Sequence, residues 1–161
     1  MKNVLMVLMV LAFLSATADD RVTGKVVSVL DGNTIEIAAD DNETYKLILL
    51  GIDCPEVNQE FGDKAKSFTE QLLINKKVEV EWAGKDRWGN RLAVVTLNGM
   101  DLRHEILKEG LAWTAERNPI EELEQLKNQA KQEGKGLWKA IDPTPPWIFR
   151  RQQTMLAPKS S

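Results

Sequence analysis

Cysteine and histidine, two residue types that suit nucleophilic or zinc chemistry, occur once each in this chain. Cys54 and His104 have no second copy in the sequence, so no intrachain disulfide can form and a thiolate zinc site would lack partners. Cys54 lies within Asp53-Cys54-Pro55-Glu56, a pattern that suits a turn before a helix. The favoured interpretation is a small buried Cys54 and a surface His104, with a reactive thiol or zinc ligand as the alternative.

The N-terminal segment has the pattern of a secretory signal peptide. Lys2 precedes the unbroken apolar run Val4–Leu14, and small residues lead up to Ala18. The run is too short for a stable membrane anchor, and a buried N-terminal helix is the less favoured alternative. We expect residues 1–18 to be removed. The mature protein would then start near Asp19 and be secreted or periplasmic, with no membrane association after cleavage.

Length and charge limit the classes of function. About 140 residues after the signal suffice for one domain with a single core. The full chain carries 21 Lys and Arg against 24 Asp and Glu. Proteins that bind nucleic acid through its phosphates usually have a basic surface. The acidic balance therefore makes nucleic-acid binding less expected and restricts it to a local patch.

Five segments have the hydrophobic patterns of β-strands: Arg21–Leu30, Thr34–Ala38, Tyr45–Ile52, Lys77–Trp82 and Arg91–Leu97. Thr34–Ala38 and Lys77–Trp82 alternate apolar and polar residues, as half-buried strands do. Tyr45–Ile52 is apolar on both faces, as a central strand would be. Asn98-Gly99 suits a tight hairpin turn. Short strands separated by strong turns are compatible with a small closed barrel.

Helical patterns occupy residues 61–74, 101–109 and 119–133. The apolar residues of the first recur at helical spacing. The third has Asn118 at the N-cap, Pro119 at the first helical position and Glu121 placed to reach back to the cap. Gly134 would end that helix. These elements predict an α+β fold in which Trp82 and Phe68 are largely buried.

Five phrases, taken in order and spacing, resemble the staphylococcal nuclease (thermonuclease) family, of which the chain would be a divergent member. They are VVSVLDGNTIEI, YKLILLGIDCPE, DRWGNRLAVV, LRHEILKEGLAW and GLWKAIDPTPPW. The resemblance implies a five-stranded oligonucleotide/oligosaccharide-binding (OB) barrel with three helices over residues 19–150. Residues 151–161 would then form a flexible tail. It also implies calcium-dependent hydrolysis of phosphodiester bonds in DNA and RNA.

The resemblance assigns roles to the acidic turn. Asp53 falls on a calcium ligand, Cys54 would offer its backbone carbonyl, and Glu56 falls on the general base. A second acidic ligand of the family is Asn33 in this chain, within Asp31-Gly32-Asn33-Thr34. An amide oxygen can ligate calcium but brings no charge. We therefore expect a weakly held Ca²⁺ at most.

Both arginines that clamp the phosphate in the family are replaced, by Ile48 and Asn90. Neither residue can balance the charge of a phosphate, so Asp53 and Glu56 are expected to have little cationic compensation. Lys46 shares a strand face with Ile48, but it is displaced by nearly 7 Å along the strand. Arg91 follows Asn90, and a shift of one residue points its side chain the other way.

Arg87 and Trp88 offer a cation and a stacking face, a pattern suited to weak contact with single-stranded nucleic acid or nucleotides. Losing one preorganised charge donor slows an enzyme by about 10²–10³. We therefore expect a secreted binding or interaction module with a degenerate phosphodiesterase site. Its partner would be nucleic acid or another protein. The alternatives are a weak Ca-dependent endonuclease using Glu56 with Arg91 and Lys46, and an exported protein with no nucleic-acid role.

Overall fold

The structure, a computed structural model, describes residues 21–156. The predicted signal peptide at 1–18 and the end of the predicted tail, 157–161, lie outside the described residues. The elements in chain order are β1 Arg21–Asp31, β2 Thr34–Ala39, β3 Thr44–Leu49, β4 Ile52–Asp53, α1 Gly62–Leu73, β5 Lys77–Lys85, β6 Arg91–Leu97, β7 Met100–Asp101, α2 Leu102–Lys108, β8 Trp113–Thr114, α3 Glu121–Gln132 and α4 Pro146–Leu156. A 3₁₀ turn, Gly136–Lys139, joins α3 to the segment before α4.

Strands β1, β2, β3, β5 and β6 close into a barrel. β1 pairs antiparallel with β2 and β5, β2 pairs with β3, and β5 pairs with β6. The parallel pairing of β3 with β6 then joins the ends of the sheet, so both edges of each strand are hydrogen-bonded. The α+β class and the five-stranded OB barrel are confirmed. Residues 21–156 contain four α-helices, where three were expected.

The barrel interior is filled by the inward-facing residues of the strands. Along β5, Val78 and Val80 are buried while Glu79 and Glu81 are exposed, as the two-residue period of a strand requires. The buried core continues under helices α1, α2 and α3 through residues such as Leu73, Leu102, Ile106, Leu107 and Leu123. Trp82 and Phe68, predicted to be largely buried, are partly buried residues packed against this core rather than members of it.

Two helix ends differ from the sequence prediction. Helix α3 starts at Glu121 with Ile120 at the N-cap position, and no side chain caps it. Asn118 has a φ of 51°, a left-handed conformation that belongs to the preceding loop. The predicted cap at Asn118 is therefore wrong. Gly134 follows α3 with a φ of 60°, in agreement with its predicted role at the helix end.

The C-terminal segment is more ordered than the sequence suggested. Helix α4 runs through residues 151–156, which were expected to be the start of a flexible tail. Pro146 begins the helix, where the fixed φ of proline favours a first turn. Trp147 packs edge-on against Trp113, with ring centroids 5.8 Å apart. Among the helices that the structure describes, none has the length and apolar character needed to cross a membrane.

The orientation of β3 determines which of its side chains reach the outside of the barrel, and stability measurements can test it. Leu47 is fully buried, whereas the adjacent Lys46 is exposed. Leu47→Ala is expected to lower the free energy of unfolding by about 2–5 kcal/mol, because it leaves a cavity in the core. Lys46→Ala should change it by less than about 0.5 kcal/mol. Equal losses in urea unfolding would contradict this strand register.

Candidate active site

The two carboxylates of the acidic turn lie side by side between β4 and α1. Asp53 ends β4, where it pairs with Trp113 of β8. The turn carrying Glu56 is pressed against the start of α1, since a Cβ at Gly62 would lie 1.8 Å from the backbone oxygen of Glu56. The side chains of Asp53 and Glu56 are 21% and 34% exposed. The fold therefore places two partly buried negative charges at one point of the surface.

A guanidinium group from α4 lies between these carboxylates. Arg150 Nη1 donates to Asp53 Oδ1 at 3.1 Å and to Glu56 Oε1 at 2.7 Å, and Nη2 donates to Asp53 Oδ2 at 2.8 Å. The expectation of little cationic compensation is therefore wrong. Sequence reasoning missed Arg150 because its partners are 97 and 94 positions away in the chain. The Pro145-Pro146 pair before it, a helix start signal, was the available clue.

Burial and the charge of Arg150 have opposite effects on the pKa of Asp53. Burial raises the pKa of the Asp53 carboxyl, and the hydrogen bonds and charge of Arg150 offset that rise only in part. The neighbouring charges of Glu56 and Asp31 raise the same pKa further. The hydrogen bond to Asp53 raises the pKa of the Arg150 guanidinium, which therefore stays charged. One internal cation thus balances a group of acidic side chains.

Asn33 has a structural role beneath the acidic turn. Its side chain is buried, and its Oδ1 accepts a hydrogen bond from the backbone N–H of Cys54 at 2.9 Å. The backbone N–H of Asn33 donates to Asp31 Oδ1 at 2.9 Å. A Cβ at the neighbouring Gly32 would lie 2.7 Å from Cys54 Sγ and 2.7 Å from Ala65 Cβ. The β1–β2 turn and the acidic turn are therefore locked together.

Cys54 is buried, as expected. Burial raises the pKa of its thiol well above the ordinary value, which keeps the sulfur protonated and unreactive. Its backbone N–H donates to Asn33 in the β1–β2 turn. Its side chain lies close to Gly32 of the same turn, and Gly32 also lies close to Ala65 of α1. The structure thus gives Cys54 a packing role, and the thiol takes no part in the acidic cluster.

The implied calcium ligands do not fit a calcium ion in this arrangement. Calcium takes six to eight oxygen ligands in proteins. Both carboxylate oxygens of Asp53 and one of Glu56 accept hydrogen bonds from Arg150, and Asn33 Oδ1 accepts one from Cys54. Within residues 21–156, no three His, Cys, Asp or Glu side chains form a group that could hold a metal. Arg150 therefore engages both carboxylate oxygens of Asp53, the one charged ligand that the resemblance implies.

The two replaced arginine positions lie in one shallow groove of about 390 Å³. Ile48 of β3 is half-buried and pairs with Leu92 of β6 across the strand pair that closes the barrel. Asn90 lies just before β6, and Lys46 and Arg91 also line the groove. The structure thus brings these four positions into one groove. The groove lacks a guanidinium at both positions where the family has one.

The side-chain amide of Asn90 is engaged by a hydrogen bond within its own hairpin. Its Nδ2 donates to Asp86 Oδ2 at 2.8 Å, and its backbone N–H donates to Asp86 Oδ1 at 2.9 Å. Although desolvation opposes the change, these hydrogen bonds and those from Trp88 and Gly89 lower the pKa of Asp86. The carboxylate stays ionised and closes the hairpin turn. Asn90 is therefore a structural residue of this turn.

Arg91 faces the end of the barrel interior. It follows the same alternation along β6 as the buried residues Ala93 and Val95. Its Cζ lies 4.8 Å from the ring centroid of Tyr45 and 5.3 Å from that of Trp82. Cation–π contacts of this kind contribute about 0.5–2 kcal/mol. The guanidinium of Arg91 is therefore engaged by an aromatic pair, although the residue also lines the groove that contains Ile48.

The tip of the same hairpin presents an aromatic surface to solvent. Trp88 is 71% exposed, and Arg87 Cζ lies 3.9 Å from the centroid of its ring. Glu116 is paired with Arg151 of α4 at 2.9 Å. An exposed indole beside a guanidinium suits stacking on a base with a phosphate nearby.

Comparison with known proteins agrees with this architecture. A model of the family described as staphylococcal nuclease homologue matches residues 46–140. The chain is 37% identical over 132 residues to a protein of Escherichia coli O157:H7 named "Uncharacterized endonuclease", covering 81% of this chain and 86% of that one. A protein of the same name in Haemophilus influenzae is 36% identical over 91% of this chain and 83% of its own length. The thermonuclease of Staphylococcus hyicus is 36% identical over 72% of this chain and 75% of its own. The chain belongs to the staphylococcal nuclease family.

Proposed function

We propose that this protein is a family member with a degenerate phosphodiesterase site, which acts as a binding module for single-stranded nucleic acid and has little or no nuclease activity. The observation that carries the proposal is the location of the guanidinium groups. Positions 48 and 90 of the groove have none, Arg91 covers an aromatic pair, and Arg150 is bound by carboxylates.

Charge in the groove decides the rate of phosphodiester cleavage. A phosphodiester is already negative, and attack by water adds charge, so an active site needs donors where that charge develops. Ile48 has no polar hydrogen to donate, and the amide of Asn90 is engaged by Asp86. Loss of one such donor slows catalysis by about 10²–10³. Two losses in one site do not simply multiply, but they leave a groove poorly suited to rapid cleavage.

The general base is also compromised. Glu56, at the family position for this role, accepts a hydrogen bond from Arg150 at 2.7 Å. This bond occupies an oxygen that would otherwise contact the attacking water. Glu56 is therefore retained in sequence but engaged in a structural ion pair.

A weak endonuclease is the second candidate, favoured by the printed names of the relatives and by the retained pair Asp53 and Glu56. In this alternative Lys46, exposed on the groove wall, would supply the positive charge with Arg91. Lysine lacks the planar fork of arginine. Arg91 would also have to leave Tyr45 and Trp82. These two requirements make the second candidate weaker than the first.

A cleavage assay separates the two candidates. The native protein is expected to show little or no calcium-stimulated hydrolysis of plasmid DNA or RNA, measured against an EDTA control. The triple change Ile48→Arg, Asn33→Asp and Asn90→Arg should raise the rate by at least about 10², because it restores two phosphate donors and a charged ligand.

Adding Glu56→Gln to the triple variant is the matched control and should remove the gain. Robust native cleavage that disappears in Glu56→Gln would overturn the degenerate-site proposal and favour the endonuclease. If the native and triple variants are both inert, the site has lost its geometry as well as its charge.

Binding to single strands is expected to depend on the hairpin tip. Stacking of a base on an aromatic side chain contributes about 1–3 kcal/mol. Trp88→Ala should therefore weaken binding of a fluorescent oligothymidylate at low salt by roughly 5- to 150-fold, measured by anisotropy. Ile141→Ala removes another fully exposed apolar side chain and should leave the affinity unchanged. Equal affinity of the native protein and Trp88→Ala would show that the tip is not the binding surface.

Export is proposed from the N-terminal pattern of Lys2, Val4–Leu14 and Ala18. Signal peptidase is expected to cleave after Ala18, so that protein recovered outside the cytoplasm begins at Asp19. N-terminal sequencing or intact mass measurement of that fraction checks the site. Recovery of exported protein that still carries Met1 would contradict this proposal.

A further inference from the structure

Helix α2 carries a buried arginine in its first turn. Arg103 is 9% exposed, and the side chain of its partner Asp101 is 14% exposed. Arginine is almost never buried in proteins unless it is paired. We propose that Arg103 is a positioning residue of the site, which holds the backbone at Leu50 so that the following chain places Asp53 and Glu56 side by side. The inference rests on the proposed function only in that both place the site at these two carboxylates.

The guanidinium of Arg103 has two kinds of partner. Nε donates to Asp101 Oδ1 at 3.0 Å, and Nη2 donates to Asp101 Oδ2 at 2.6 Å. Nη1 donates to the backbone carbonyl of Leu50 at 3.2 Å, 53 positions earlier in the chain. Although burial opposes the change, the hydrogen bonds and charge of Arg103 lower the pKa of Asp101. The ionised carboxylate therefore orients the guanidinium, and the guanidinium binds the Leu50 carbonyl.

Leu50 and Gly51 form the turn between β3 and β4. The N–H of Leu50 donates to the Ala93 carbonyl of β6 at 2.9 Å, and the Gly51 carbonyl accepts from the N–H of Ala115 at 3.0 Å. Gly51 has a φ of 80°, a left-handed conformation that favours glycine. The barrel and the segment after β8 thus hold two polar groups of this turn. Arg103 supplies the donor for a third, the carbonyl of Leu50.

The direction of this turn determines where the two carboxylates lie. Strand β4 follows the turn at once and is two residues long, so its own pairing with β8 fixes little of its direction. Asp53 and Glu56 both accept hydrogen bonds from Arg150, which requires that both lie within reach of one guanidinium. A shift of Leu50 would move Asp53 relative to Arg150. Arg103 therefore acts on the site through the backbone.

Two variants separate the contact with Leu50 from the ion pair. Asp101 caps α2 by accepting from the N–H of Arg103 at 2.9 Å, and asparagine caps helices equally well. Asp101→Asn is therefore the matched control, because it removes the charge of the pair and keeps both the cap and the donor to Leu50. Combining Asp101→Asn with Arg103→Met keeps the cap and removes that donor. The double variant leaves no unpaired charge from this pair, a change that proteins often tolerate.

Amide hydrogen exchange reports on the turn residue by residue. In the double variant, the amides of Leu50 and Ala115 should exchange at least about tenfold faster than in the native protein, because local opening of the turn exposes them. The amide of Val80, which pairs with Val22 and Val95 within the barrel, should keep its native rate. Asp101→Asn should leave all three rates unchanged.

An equal acceleration at Val80 would overturn the proposal, because Arg103 would then stabilise the whole fold and not the turn. Native rates at Leu50 and Ala115 in the double variant would overturn it as well. Arg103→Lys is a second variant if the double variant does not fold. Its ammonium keeps a charge beside Asp101 but lacks the fork that binds two partners at once, so the same pattern of exchange is expected.

Titration of the Asp53 carboxyl by ¹³C NMR gives a second readout at the site itself. Burial raises the pKa of Asp53, and Arg150 offsets that rise only in part. If the turn loosens, water reaches the carboxyl, and the pKa of Asp53 should fall toward the ordinary value in the double variant but not in Asp101→Asn. An unchanged pKa of Asp53 in the double variant would refute the positioning role. Neither measurement uses nucleic acid, so failure of this inference and failure of the proposed function are distinguishable.

Discussion

Strand β3 hydrogen-bonds to β2 along one edge and to β6 along the other, and this double pairing closes the barrel. Of these two pairings, the parallel one with β6 spans more of the chain, since it joins Ile48 to Leu92 across β4, α1 and β5. It places the groove positions 48 and 90 next to each other. It also holds the end of β3 in the orientation from which the chain continues to Asp53 and Glu56. The site therefore depends on barrel closure before it depends on any catalytic side chain.

A second constraint ties the acidic turn to the barrel. Asn33 Oδ1 holds the Cys54 N–H, and Gly32 allows the β1–β2 turn to touch Cys54 and Ala65. An uncharged residue suits this buried position, because a second carboxylate beside Asp53 would add repulsion in a site already partly removed from water. Asn33 thus joins the two turns through a hydrogen bond without adding a charge.

The positions of the guanidinium groups determine which charges each of them can compensate. Arg91 stacks on Tyr45 and Trp82 at the barrel end, Arg150 binds the acidic pair, and Arg87 lies on Trp88 at the hairpin tip. Of these three residues, Arg91 lines the groove beside Ile48, whereas Arg87 and Arg150 are not among its lining residues. A guanidinium stabilises a transition state only where it meets the developing charge. Each of these three guanidinium groups is engaged by an aromatic ring or a carboxylate within the chain.

The sequence alone was enough to predict the strands and helices whose hydrophobic residues recur with a regular period. Hydrophobic patterns bounded by turns marked the five barrel strands, and helical patterns marked α1, α2 and most of α3. The replacement of both arginines was visible at Ile48 and Asn90. The strand and helix patterns involve residues that are close together in the sequence, so their period is visible without the structure. Helix α4 was missed because its packing partners, such as Trp113, lie in another segment.

Tertiary structure decided where the charges meet. Arg150 finds Asp53 from 97 positions away, and the hairpin turns Asn90 toward Asp86. Asn118 was a reasonable N-cap by local rules, yet the loop holds it at a φ of 51° and the helix starts later. Side-chain direction and ion pairing depend on which distant surfaces come together, and no local period encodes that. The chain's pattern therefore fixes the barrel, whereas packing of α4 against it fixes the electrostatics of the site.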